Sequence, residues 1–101
     1  MTIIITEEAQ QKLEKELEFL TEVRGMPVSV ALSLGKKLLK KANSLSKQPY
    51  IGQEELHLES LNQGHRRLIE GEFKIINFIM SDKVYVTDLF NTRRDHETMK
   101  G

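Results

Sequence analysis

His65-Arg-Arg-Leu-Ile-Glu-Gly-Glu-Phe73-Lys-Ile-Ile-Asn-Phe-Ile-Met80-Ser-Asp-Lys-Val-Tyr-Val-Thr-Asp-Leu-Phe90-Asn-Thr-Arg-Arg-Asp95 is the stretch whose reading decides the fold. It holds three β-rich runs separated by two turn signals, Glu70-Gly-Glu72 and Ser81-Asp-Lys83. Glycine reaches positive φ at little cost, and Ser and Asp bond back to the backbone, so both sites suit tight hairpins. The middle run, Phe73 to Met80, is apolar at odd and even positions alike. A strand that is apolar on both faces belongs in the interior of a sheet. The expectation is a three-stranded antiparallel meander with residues 73–80 at its centre.

Tight turns fix parity, and a slip of one residue would exchange the two faces. Counting through the turns puts Arg66, Leu68, Phe73, Ile75, Asn77, Val84, Val86, Asp88 and Phe90 on one face. Arg67, Ile69, Lys74, Ile76, Phe78, Tyr85, Thr87 and Leu89 fall on the other. On this count Asn77 and Asp88 are neighbours. A buried Asp needs a partner, and Arg66 is the nearest candidate. Both faces are largely apolar. The chain's own helices are expected to cover one, and the other is a candidate interaction surface.

Upstream, Thr2 to Thr6 is a β-branched run and reads as a strand, of undetermined direction relative to the meander. Thr6 then suits a helix N-cap, with Glu7 and Glu8 at the positive end of the helix dipole. Ala9, Leu13, Leu17, Leu20 and Val23 recur at helical spacing, which predicts a helix over about 7–23, closed by Gly25. Pro27 suits the first turn of a second helix. Val30, Ala31, Leu34, Leu38, Ala42 and Leu45 form its predicted buried stripe. Gly35 interrupts that pattern at a cost of up to about 1 kcal/mol against Ala, which points to close approach of the first helix. The short link predicts an antiparallel helical hairpin. Gln48-Pro-Tyr-Ile-Gly52 reads as a turn-rich connector, and Gln53 to Gly64 as loop with room for one short turn or strand. The fold class is therefore α+β, in the order β-α-α-β-β-β, with the helices packed on one sheet face.

The 101 residues suffice for a single domain, 1–101, with one core. No run is long enough to span a membrane, and residues 1–8 lack the basic start and apolar core of a signal peptide. Cysteine is absent, which excludes disulfides and thiolate metal sites and fits a cytoplasmic location. The three histidines show no metal-ligand spacing, so neither a metal nor another cofactor is expected. Net charge is zero but unevenly spread. The first helix is acidic, Lys36, Lys37, Lys40, Lys41 and Lys47 form a run without acids, and Glu54, Glu55 and Glu59 follow. Nucleic acid could be held only locally by such a chain.

Several residues are candidates for chemistry. Arg67 and Lys74 are expected on one face. Arg93, Arg94 and His96 form a basic cluster beyond the last strand. In a ribonuclease, such arginines and lysines would stabilise the phosphate in the transition state while His96 or Tyr85 moved a proton. The plainer reading is an exposed charged tail with Asp95 paired to an arginine, and a solvated lysine face on the second helix. His57 and His65 flank loops and read as structural or exposed.

The order of elements, with Ile3-Ile-Ile-Thr-Glu-Glu-Ala9, Pro49-Tyr-Ile-Gly52, Arg67-Leu68-x-x-Gly71-x-Phe73-Lys74-Ile75-Ile76 and Leu89-Phe90-x-Thr92-Arg93-Arg94-Asp95, resembles the RelE/ParE superfamily of toxins from type II toxin–antitoxin modules. The Thr-Arg-Arg-Asp ending looks closer to its ParE, or plasmid-stabilisation, branch. That resemblance implies a toxin that inhibits DNA gyrase and is neutralised by a cognate antitoxin laid over the sheet and the helical hairpin. It would meet DNA only through the antitoxin complex and would have no membrane partner. The alternative is a RelE-like endoribonuclease acting on mRNA at the ribosome, with Arg67, Lys74, Arg93 and Arg94 as catalytic candidates. An inactive member serving only as an interaction domain is the third reading.

Overall fold

A computed structural model describes residues 1–55, 58 and 64–92. The chain runs β1 (Thr2–Ile5), α1 (Glu7–Glu22), α2 (Val28–Asn43), a 3-10 turn (Ser44–Ser46), β2 (Gln53–Glu54), β3 (Arg66–Glu70), β4 (Phe73–Met80) and β5 (Lys83–Asn91). The five strands form one sheet in the order β1-β5-β4-β3-β2. The expected meander is present, with β4 in the middle of the sheet. β1 adds parallel to β5, pairing Ile3 with Val84 and Ile5 with Val86. The other pairings are antiparallel. The strand within the expected 53–64 loop is β2, whose two residues pair with Arg66 and Arg67.

The turns behave as the sequence requires. Gly71 sits at φ 58°, and Ser81 and Asp82 at 51° and 59°. Two successive positive φ values are the mark of a type I′ hairpin turn, whose twist matches that of the flanking strands. Thr6 caps α1 by accepting the Ala9 N–H at 3.2 Å. Pro27 stands at the N-cap of α2, one position earlier than expected, where its missing N–H also costs nothing.

The parity count fails at one point. Asn77 faces Val86 while Ile76 faces Asp88, so Thr87 is an extra residue in a β-bulge. A bulge shifts every later side chain to the opposite face. Leu89, not Phe90, therefore joins Leu68, Phe73, Ile75, Val84 and Val86 in the core under the helices. Phe90 turns to the far face and packs with Ile76 and Leu58. The bulge coincides with a change of neighbour along β5. β1 ends at Ile5, the Thr6 N–H bonds to the Val86 carbonyl, and α1 takes over from there.

Ala9 and Leu13 of α1, with Leu38 and Ala42 of α2 and Leu45 beyond it, fill the helix-facing core. Each such buried Leu contributes roughly 1.5–3 kcal/mol, which a highly charged helix pair requires. Two residues leave the expected stripes. Val23 is 67% exposed at the C-cap of α1, and Val30 is 49% exposed. Gly35 has the expected place at the approach of the two helices: a Cβ there would lie 2.9 Å from Leu17 Cδ1, and the Leu17 side chain would have to shift to admit it.

Candidate functional site

The bulge leaves two different sheet faces, and the candidate chemistry lies on the one away from the helices. Arg67 of β3 and Lys74 of β4 do share that face, as expected from parity. They meet at a residue the sequence reading did not single out. Glu55, just past β2, is buried and places one carboxylate oxygen 2.9 Å from Lys74 Nζ and the other 3.5 Å from Arg67 Nη1. The Glu55 N–H bonds to the His65 carbonyl at 2.8 Å, extending the β2–β3 pairing by one step. Arg67 also donates to the Glu54 carbonyl at 2.5 Å and to the Gln53 side chain at 2.9 Å. Its guanidinium fork thus holds the whole of β2. In composition Glu55 is one acid of a short acidic segment. Its partners lie 12 and 19 residues downstream, and only the β2–β3 pairing brings them together.

Arg66 points the other way and is not the partner of Asp88. It donates to the carbonyls of Tyr50 and Gly52, and its guanidinium lies 5.8 Å from the Tyr50 ring. Gly52 is required there because a Cβ would stand 2.5 Å from the Arg67 carbonyl oxygen. The Pro49–Gly52 connector is therefore clamped to β3 from both sides. Asp88 pairs instead with α1: Lys12 Nζ lies 3.7 Å from its carboxylate, which also accepts the Leu89 N–H at 2.8 Å. The expected network of Asn77 with Asp88 is absent because the bulge places them on opposite faces. Asn77 is fully buried and donates to the Ile75 carbonyl at 3.3 Å.

A row of rings crosses the same face beside the Glu55 cluster. His65 lies against Phe78 with centroids 5.0 Å apart, and Phe78 stacks on Tyr85 at 5.5 Å and 18°. His65 is buried, and neither ring nitrogen has a hydrogen-bond partner among the described residues. Burial lowers its pKa from the ordinary value near 6.5. Tyr85 is half-buried in this row, and Ile69 and Met80 are about half exposed on the same face. Arg93, Arg94 and His96, with Asp95, lie outside the described residues, as does His57.

Chemically, the cluster is two cations closed on one carboxylate. Transition-state stabilisation of a phosphoryl group needs cations aimed at the reacting oxygens, and these two are aimed at Glu55. The described residues hold no group of three or more His, Cys, Asp or Glu able to bind a metal ion, and no helix among them is long and apolar enough to cross a membrane.

The comparisons with known proteins agree with this architecture. The family model described as ParE toxin of type II toxin–antitoxin system, parDE, matches residues 3–96. The chain belongs to the ParE toxin family. A solved structure described as the chromosomal ParDE TA system from P. aeruginosa superposes with a TM-score of 0.72. It is 16% identical, and the match covers 90% of this chain and 95% of that one. At that identity the likeness speaks for the fold. Comparison with curated protein sequences gave no match. This ParE-family chain thus carries the β-α-α-β-β-β order that its sequence predicts, with one short strand added at the sheet edge.

Proposed function

We propose that this ParE-family toxin inhibits DNA gyrase in the cytoplasm and is neutralised by a cognate antitoxin. The family match over residues 3–96 carries the reading. The Arg67–Glu55–Lys74 cluster supports it against the nuclease alternative, because both cations are already closed on a buried carboxylate. The toxin then works as a binding module. The antitoxin lays an amphipathic helix or an added strand over the sheet and hairpin, and any DNA contact is made through the antitoxin complex.

Induced expression of the chain alone tests this. Growth arrest with a shift of reporter plasmids toward relaxed topoisomers, both reversed by co-expressing the adjacent reading frame, is the expected result. Normal plasmid topology with rapid cleavage of translated messages would favour a RelE-like endoribonuclease. Normal growth from a soluble, folded chain would leave an interaction domain only.

A further inference from the structure

Two hollows join end to end between α2 and the β3–β4 hairpin. One, of about 220 Å3, has Leu20, Met26, Leu34 and Phe73 in its lining, with Glu70 and Glu72 beside them. The other, of about 420 Å3, is lined by Lys37, Lys40 and Lys41 of α2 and by Ser44, Gln48 and Ile51 beyond it. Lys37, Lys41 and Ser44 follow each other at helical spacing and so make one wall. Lys37 and Glu70 line both hollows, which makes them one trough, apolar at one end and basic at the other.

The basic end holds three cations against the single carboxylate of Glu70, a formal +2. None of the three lysines is in an ion pair among the described residues. A concave surface with charge of one sign attracts the other sign. The apolar end decides what carries that charge. A nucleic-acid backbone would meet the lysines, but it has no side chain for the space beside Phe73, and Glu70 and Glu72 would repel it there. A polypeptide supplies both kinds of group. β3 also offers it an edge. β2 pairs only with Arg66 and Arg67, so no described strand pairs with residues 68–70 on that side. An unpaired edge of this kind can take an added strand.

We propose that this trough holds an extended, acidic segment of the antitoxin, with one apolar side chain beside Phe73 and carboxylates beside Lys40 and Lys41. Leu34 and Lys41 are about 10 Å apart along α2, a distance that an extended chain covers in about three residues. The segment therefore carries an apolar residue with acids about three to five positions away, and no acid where it passes Glu70. The inference rests on the proposed neutralisation by an antitoxin and adds the chemistry of the segment that performs it. It does not depend on gyrase being the target.

Fluorescence anisotropy of short labelled peptides titrated into the full chain tests it. The probe peptide carries a leucine with glutamates about three to five positions on. One control replaces the leucine by serine, the other the glutamates by glutamines. The probe is expected to saturate at roughly 10–100 µM in low salt, and both controls to bind about tenfold more weakly. Lys40→Gln with Lys41→Gln should weaken the probe about fivefold, with circular dichroism unchanged. A probe that does not bind, or one indifferent to loss of its leucine or of the two lysines, would overturn the inference. So would lysine-dependent binding of a labelled DNA duplex tighter than that of the probe. Growth assays separate this inference from the reading it rests on. The doubly substituted chain should still arrest growth and should need about fivefold more co-expressed antitoxin for rescue. Rescue at the wild-type level overturns the inference and leaves the toxin reading standing. If the wild-type chain itself does not arrest growth, the toxin reading fails, and the antitoxin as occupant fails with it.

Discussion

Replacing Glu55 by Gln keeps the shape of the residue and removes its charge. Its side chain is 1% exposed, against 11% for Lys74 and 25% for Arg67. Breaking a buried pair by removing one charge costs about 3–5 kcal/mol, because the remaining ion is left in a poor solvent without its partner. Arg67 is a quarter exposed and retains its bonds to Gln53 and Glu54, so water and those partners reduce its share. Lys74, 2.9 Å from the carboxylate, bears most of the loss. Glu55→Gln should therefore cost about 2–4 kcal/mol. Urea denaturation followed by circular dichroism measures this from the shift in midpoint at constant slope. Adding Lys74→Met to Glu55→Gln should recover part of the loss, since the stranded cation is gone. A change below about 0.5 kcal/mol, of the size seen for exposed pairs, would refute the reasoning. Full additivity of the two substitutions would do the same.

Three further outcomes follow from local geometry. Gly52→Ala drives a Cβ into the Arg67 carbonyl and should destabilise the chain by about 1–3 kcal/mol in the same assay, with the clash falling on backbone that cannot yield. Ser81→Asn with Asp82→Gly places the favoured type I′ pair at two positive-φ positions and should raise stability by about 1 kcal/mol, read as a higher melting temperature. His65 has a lowered pKa in the folded chain, so the unfolded state binds more protons between that value and about 6.5. Its contribution is complete above about 6.5 and is lost as pH falls through this window. Urea midpoints of the wild type should drop across it more steeply than those of His65→Phe.

Much of this fold was legible because several local signals agree. Gly71, Ser81-Asp82 and the doubly apolar Phe73–Met80 run fix the meander, and Thr6, Gly35 and the leucine spacings fix the hairpin. The bulge was not legible. Val84-Tyr-Val-Thr-Asp-Leu-Phe90 alternates acceptably in either register, and Thr87 becomes the extra residue only once β1 ends and α1 begins beside it. The misplacement of Phe90, Leu89 and Asp88 follows from that single residue. Glu55 was hidden for a different reason. Its partners lie on β3 and β4, and a two-residue edge strand has too few positions to show a period. Parity puts Arg67 and Lys74 on one face, but the carboxylate that occupies them comes from a segment whose sequence carries only turn signals. Position alone suggested a phosphate site, and the third residue changes what the pair can do.

The action proposed for this ParE-family chain is binding of gyrase, not cleavage of RNA. Purified chain added to purified gyrase, relaxed plasmid and ATP tests it most directly. The expected result is loss of supercoiling activity with rising chain concentration, an inhibition retained by the Arg67→Gln and Lys74→Met variants and reversed by the antitoxin. Undiminished supercoiling at saturating chain, with messages cleaved in a translating extract and that cleavage lost in the same two variants, would contradict it.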